Sequence, residues 1–481
     1  MDILKDPLAV LQRYLQIDTT NSQNDRDVCR FWELIFSRYD VNCRHVRSGD
    51  FCNFETYLDE GRRERILLQN HMDVVPALRG EWNFDPFGGR IDAGYLYGRG
   101  ALDMKSIAVF QAYAFLRLVY ENHPRKHLLK FCSMVQEETS SEHGARFYAD
   151  YLKRQGYSDL VVLGEGGFLL RIPEIYAGNL FLYETEQKGL LWLAITVHSR
   201  GGHGSLGGKT KKANPVLRAA KVADRLSRIK FPVKIETSVE VFISSLLDVS
   251  HNFLIRHIVA STLFKRFLFR TKMGSGMLCR LITRATAIPD LFQTSLNVTN
   301  ISTDKIEGIA ERTQRLPLWR RLLRRGPTRK LNPITRTGVN VIPSYATVTC
   351  DIRFNSVYTA DELIEIIRKV IPKDAELTVM NSQKFSTSPH HLIVDPIRRA
   401  LDSAGQVETI VSPFLFIAAS DNYFFRNQGF ASFGLVPNLI SLDELDRIHG
   451  CNERIHIQHF REGCQLYYRI LKQLIESLPD E

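Results

Sequence analysis

The sequence has no run of about 18 uninterrupted apolar residues, so no membrane-spanning helix is expected. Its opening, MDILKDPLAVLQRYLQIDTT, lacks the basic-then-apolar pattern of a secretory leader, and the cytoplasm is the expected compartment. Internal repeats and long low-complexity tracts are missing too, which excludes solenoid and fibrous architectures. No two cysteines stand at the CxxC spacing of a zinc knuckle or redox pair. The eight are scattered at 29, 43, 52, 132, 279, 350, 451 and 464, and reduced thiols are expected. What is present is ordinary globular composition: 481 residues, 44% hydrophobic and 24% charged, enough for a substantial core. At roughly 100–200 residues per domain the length suits two to four domains, or one large domain carrying an insertion. The 63 Lys+Arg against 53 Asp+Glu give +10, and the positive charge concentrates in residues 251–284 and 313–330, where Arg and Lys mix with Leu, Phe, Ile or Trp.

Before about Gln187, short apolar runs alternate with longer amphipathic segments, as βα units around a mainly parallel sheet do. The runs include Arg65–Gln69, Leu128–Val135 and Leu160–Leu163. After Leu190 a strand–helix–strand–helix texture (LWLAITVHS, ANPVLRAAKVADRLSRI, ATVTCDIRF, DELIEIIRKVI) points to a smaller inserted α+β domain. From about Ser386 the first texture resumes. The expected fold class is therefore α/β, with a split domain of residues 1–187 and 384–481 around an insertion at 188–383 that carries basic helical additions at about 251–337.

Three candidate ligand sites follow apolar runs directly: His71-Met72-Asp73, Glu137-Glu138 and Glu165-Gly166-Gly167. In open α/β sheets the carboxyl ends of strands are where ligands bind. Asp103, in GRGALDMKS, precedes an apolar helical stretch. Each alone is more often a structural residue; four in such positions suggest a metal centre. Imidazole and carboxylates suit zinc, and two ions about 3.5–4 Å apart need a bridging carboxylate, a place Asp103 fits. In HMD, Asp73 projects to the same side as His71 and would accept its other ring N–H. Neighbours on an extended segment point apart, so one of Glu137 and Glu138 can bind metal while the other faces substrate as general base. A second histidine is required, and IHGCNERI offers His449, with His456 and His459 as alternatives on spacing.

These residues resemble the zinc-dependent M20 peptidase family, which includes aminoacylases, carboxypeptidases, dipeptidases and succinyl-diaminopimelate desuccinylase. HMDVVP, GRGALDMKS, QEETSSEHGA, GEGG, GGHGS, GVNVIPSYATVTCDIRF and HGCNERI occur in the family's order across residues 71–454. The resemblance implies two Zn2+, with Co2+ or Mn2+ as substitutes. His71, Asp103 and Glu165 would hold one ion, and Asp103, Glu138 and His449 the other. Glu137 would be the general base activating a metal-bridging water, with Asp73 as orienting acid. The insertion would be the family's lid, of the kind that dimerises in some members. His203 of the lid would polarise the substrate carbonyl, and Asn340 and Arg353 would help hold a substrate with a free carboxylate. The implied reaction is cleavage of an amide or peptide bond in an N-acyl amino acid or short peptide; desuccinylase or dipeptidase specificity is the alternative within the family. Two departures stand out: Gln136 replaces an Asp before the Glu pair, and AASDNYFF at Ala418–Phe425 replaces a Gly-rich turn, with Asp421 kept.

Rival readings fare less well. GGHGSLGGKT has the texture of a phosphate loop, but His203 occupies the position where that motif needs Gly. A non-catalytic binding protein on the same scaffold would be marked by loss of Glu137 or a ligand, and both are present. The basic additions are read as solvated lid helices or as a surface for anionic lipid or a partner. Nucleic acid is not expected, since no recognised fold or stacking platform accompanies the charge.

Overall fold

The apolar runs are strands. In the computed structural model the described residues are 1–58, 64–173, 176–206, 214–248, 262–286, 291–303, 340–406 and 408–478. The basic stretch 313–330 and the start of the other, 251–261, lie outside them. Two compact units emerge: Met1–Gln187 with Ile235–Leu281 and Ser386–Glu481, and Lys188–Lys234 with Ile282–Phe385.

The first unit is built on an 11-stranded sheet. Its centre is parallel: Ile66–His71 lies between Leu129–Met134 and Val161–Gly164, and Ala431–Gly434 continues beside the last. Ile66–His71 and Leu129–Met134 are buried at every position, which is why they read as continuous apolar runs without alternation. Antiparallel strands extend both sides, Phe51–Tyr57 and Asn42–Ser48 at one edge and Asn179–Gln187 and Gly167–Leu170 towards the other. The helix Lys105–Tyr120 is apolar on nearly all sides because it is covered by the sheet and by the long helix Ile457–Ser477. Gly463 makes that helix contact close: a Cβ there would sit 3.0 Å from the Phe110 ring. Among the described residues no helix is long and apolar enough to cross a membrane.

The second unit is a four-stranded antiparallel sheet in the order Ser295–Ser302, Tyr345–Phe354, Gly189–His198, Glu376–Gln383. The helices Pro215–Ser227 and Ala360–Val370 bury Ala219, Val222, Leu363 and Ile367 in its core. Both start on strong signals: Asn214 caps the first, with Pro215 following, and Thr359 with Glu362 forms a capping box on the second.

One boundary differs from expectation. Residues 235–281 were assigned to the insertion, yet they pack with the first unit. The helix Thr237–Asp248 lies on the strand Thr409–Phe416, with Phe242 and Leu246 against the first unit's core. The backbone N–H and hydroxyl of Ser238 both donate to buried Glu186. The chain thus leaves the first unit at Gln187, returns for this segment, and leaves again.

A buried ion pair closes the sheet next to the future site. Glu184, on Asn179–Gln187, accepts from Arg426 Nη1 at 2.6 Å and from the Asn422 amide, and Arg426 Nη2 donates to the Ser432 carbonyl at 2.7 Å. Burial pushes the Glu184 carboxyl up, and Arg426 opposes that. Replacing Arg426 by Met should leave an uncompensated buried charge and cost about 3–5 kcal/mol in urea unfolding. A loss below about 1 kcal/mol would show that the pair does not support the fold.

Candidate metal centre

The carboxyl ends of the parallel strands converge on one acidic cleft. His71 is the last residue of its strand, Glu137 follows Leu129–Met134 by three positions, and Glu165 follows Val161–Gly164 directly. The Asp103 carboxylate lies between two imidazoles, with Oδ1 3.1 Å from His71 Nε2 and Oδ2 3.0 Å from His449 Nε2. Glu165 Oε2 is 3.5 Å from His71 Nε2, and Glu138 Oε1 is 3.3 Å from His449 Nε2. Two donor groups that share Asp103 result, His71, Asp103 and Glu165, and Asp103, Glu138 and His449; a third, His71, Glu137 and Glu138, lies beside them. In each, the candidate ligand atoms lie within 4.8 Å of one another. His456 and His459, the alternatives on spacing, lie with ring centroids 4.3 Å apart and join none of these groups.

Asp73 is arranged differently from expectation. Its backbone carbonyl, not its carboxylate, faces His71 Nδ1 at 3.0 Å, while the nearer carboxylate oxygen is 3.7 Å away. The carboxylate instead accepts the backbone N–H groups of Glu137 and Glu138, each at 3.1 Å. The reason is geometric: the chain turns sharply after Val135, with Gln136 at φ 66°, and brings these two N–H groups over the end of the neighbouring strand. Asp73 therefore positions the glutamate pair through the backbone.

Sequence reasoning missed a second support. Glu453 is fully buried; Oε2 accepts from Arg99 Nη1 at 2.6 Å and Gly100 N at 3.2 Å, while Oε1 accepts from Leu102 N at 2.8 Å and Asp103 N at 3.2 Å. Arg99 Nη2 donates to the His449 carbonyl at 3.1 Å. One ion pair thus fixes the segments carrying Asp103 and His449. Its only sequence signal is the presence of charged residues within four positions of two candidate ligands.

A model of peptidase family M20/M25/M40 matches residues 67–473. The chain belongs to this family. It is 26% identical over 415 residues to the human N-fatty-acyl-amino acid synthase/hydrolase PM20D1, covering 84% of this chain and 73% of that protein. Its fold is similar to that of the M20 family metallo-carboxypeptidase Sso-CP2 from Sulfolobus solfataricus, with a TM-score of 0.70 at 16% identity over 99% of this chain and 100% of the other. It is also similar to Bacillus subtilis YXEP, described as a dinuclear metal binding peptidase, with a TM-score of 0.56 at 11% identity over 99% of each chain. This M20 chain is accordingly a metallohydrolase of amide or peptide bonds, and its fold is the mixed α/β fold of the family.

The departures from the M20 pattern face inward. Gln136 donates its backbone N–H to Ser22 Oγ at 2.8 Å, and its side-chain oxygen accepts from His143 N at 3.1 Å, bracing the loop after the glutamates. In the Ala418–Phe425 stretch, Asn422 Nδ2 donates to the Glu165 carbonyl at 2.7 Å, and Asp421 Oδ1 accepts from Ser141 Oγ at 2.7 Å. Gly166 sits at φ 94° with Glu184 2.9 Å from where its Cβ would be, so only glycine fits the turn that presents Glu165. In the second unit, His203 is exposed, its Nδ1 2.8 Å from Ser205 Oγ, and the Asn340 carbonyl accepts from Gly204 N at 2.6 Å. Arg353 lies apart from them, on Tyr345–Phe354, where Nε and Nη2 fork onto Asp351 at 2.9 and 3.1 Å. Its Nη1 is buried without a hydrogen-bond partner.

Electrostatics test whether divalent ions fit this donor set. Burial and the Asp103 charge push Glu165 up to about 8, and burial with Glu165 raises Glu137 well above the carboxylate range. Burial likewise lifts Asp73 to about 6 and Asp421 to about 7. Hydrogen bonds to Asp103 and Glu138 raise His449 to about 10. Burial would raise Asp103 as well, but its bonds from His449 and His71 outweigh that and hold it low. Asp421 Oδ2 is buried without a hydrogen-bond partner, and Glu138 Oε1 faces only the His449 imidazole, at 3.3 Å. Crowded carboxylates, two imidazoles and an orphaned buried acceptor form a site that cations would stabilise, so the residues fit the metals of the family.

A pH dependence follows. Glu165, Asp73, Asp421 and His449 keep protons in the folded chain that the unfolded chain has released, so rising pH favours the unfolded state. Lys105, lowered to about 7 by burial, opposes this only above that pH, and Asp103 acts only below about pH 4. Chelator-treated protein should therefore lose melting temperature from about pH 5 to 7. Added Zn2+ should restore more at pH 7 than at pH 5, because ions and protons compete for the same groups. A flat or rising melting temperature of chelated protein in that window would contradict this account.

Proposed function

We propose that the chain is a two-metal amidohydrolase that releases an amino acid or C-terminal residue from an N-acyl amino acid or short peptide bearing a free carboxylate. The observation that carries this reading is the pair of donor groups sharing Asp103, with Glu137 beside both. His71, Asp103 and Glu165 would hold one Zn2+, and Asp103, Glu138 and His449 the other, with Co2+ or Mn2+ as substitutes. When bound, such ions acidify a water and polarise the scissile carbonyl. Glu137 takes the proton of that water and delivers it to the leaving nitrogen, a role suited to a carboxyl raised by burial and by neighbouring charge. Asp73 holds Glu137 and Glu138 by their backbone N–H groups and, through its carbonyl, turns the Nε2 of His71 towards Asp103.

The second unit acts as the lid. His203 stabilises the negative charge that develops on the carbonyl oxygen, contributed from the same chain or from the partner in a homodimer. Arg353 binds the substrate carboxylate through Nη1, its other edge being held by Asp351, and Asn340 assists. A homodimer through this unit is supported by the strand Glu376–Gln383, which ends the sheet and exposes Val379 and Met380. N-acyl amino acids are preferred over succinylated substrates because the human relative is named for hydrolysis of N-fatty-acyl amino acids.

Two variants and a screen test the proposal. Glu137→Ala should retain two ions per chain by mass spectrometry of metals yet lose turnover by roughly 10²–10⁴-fold. Glu138→Ala should lose metal as well. If both variants hydrolyse N-acyl amino acids as the parent does, the assignment fails. Zinc-loaded protein should cleave N-acetyl or N-long-chain-acyl amino acids; activity confined to N-succinyl substrates would overturn the substrate assignment alone.

A further inference from the structure

The metal centre does not use the +10 of the chain, since most of its donors are acids. Part of that charge sits on a helical hairpin made by Thr262–Arg270 and Lys272–Thr286 with a bend at Thr271, which belongs to the first unit as far as Leu281. Lys265, Arg266, Arg270, Lys272, Arg280 and Arg284 are the only charged residues between 262 and 286, so the hairpin carries no acid. Its inner side is fixed to the unit. Leu268, Phe269, Leu278 and Cys279 are buried, and Gly274 lies so close to the first helix that a Cβ would meet the Phe267 carbonyl oxygen at 2.2 Å. Two cations are also tied down: Lys265 to Asp248 at 2.7 Å and Arg270 to Glu240 at 3.1 Å.

The outer side is different. Met273 is 70% exposed and Met277 46%, one helical turn apart. Lys272 and Arg280, two turns apart on the adjoining stripe, are exposed, as is Arg266 on the other arm. Exposed flexible apolar side chains bordered by cations that have no acidic partner among the described residues match one environment on both counts: an interface where anionic headgroups lie above acyl chains. Nucleic acid would satisfy the cations but leave the methionines without a role.

We propose that this hairpin docks the protein on an anionic lipid surface, Met273 and Met277 entering the headgroup–acyl boundary while Lys272, Arg280 and Arg266 face the headgroups. The docking does not depend on which amide the centre cleaves. The test is flotation of the full chain with phosphatidylcholine vesicles, with and without phosphatidylserine, at low and high salt. Binding is expected only to the anionic vesicles and is expected to fade at high salt. Each cation near such a surface is worth about 1 kcal/mol, so reversing two of them by Lys272→Glu with Arg280→Glu should weaken binding by roughly a hundredfold or more. Met273→Ser with Met277→Ser should weaken it several-fold without changing the salt dependence. Both variants should keep the parent's melting temperature and its hydrolysis of a short-chain substrate. Equal binding to neutral and anionic vesicles, unchanged binding by the charge-reversed variant, or hairpin-dependent binding to a polynucleotide or acidic polypeptide in place of vesicles would each overturn the proposal.

Discussion

The centre depends on the placement of one carboxylate, that of Asp103, between two imidazoles whose residues are 378 positions apart in the chain. Two of the three donor groups include it; the third is His71, Glu137 and Glu138. A carboxylate in that place needs an anchor that does not compete for its oxygens, and the anchor is made through the backbone. Glu453 receives the N–H groups of Gly100, Leu102 and Asp103, and its partner Arg99 grips the carbonyl of His449. Burying such an ion pair is expensive in desolvation, and hydrogen bonds to its other polar atoms offset part of that cost. Here the Glu453 oxygens accept four hydrogen bonds, and in return the segments that carry Asp103 and His449 are held together.

The same logic recurs around the other candidate ligands. Asp73 organises Glu137 and Glu138 by their amides, and Asn422 holds the carbonyl of Glu165. In all three cases a buried polar side chain fixes the main chain and leaves the adjacent carboxylate free for metal or substrate. Burial, helped by neighbouring carboxylates, raises the pKa values of Glu165, Glu137 and Asp421, and bound cations would offset that cost. The basic surface of the hairpin lies on a segment that supplies none of these ligands, so the chain's net charge and its chemistry are separate features.

Much of this was legible before the structure. Runs such as ILLQNH and LKFCSM show that the sheet is buried on both faces, and acids or histidines immediately after them mark the edge where the candidate ligands gather. Spacing also separated the inserted sheet from the first domain near Gln187. The return of residues 235–281 to the first unit was not legible, because an amphipathic pattern shows that a helix buries one face without showing which core receives it. The role of Asp73 was read only in part: period-two geometry gives the side to which a carboxylate points, but the sharp turn at Gln136 decides which donors reach it. Glu453 is legible only as a neighbour of His449, four positions on, and the fold alone shows that it meets Arg99 in the interior.

The central claim is that two ions share Asp103. Anomalous diffraction at the zinc edge from zinc-loaded crystals tests it most directly. The account predicts two peaks on either side of the Asp103 carboxylate, one contacting His71 and Glu165 and the other Glu138 and His449. A single peak, or two peaks that do not share Asp103, would contradict it.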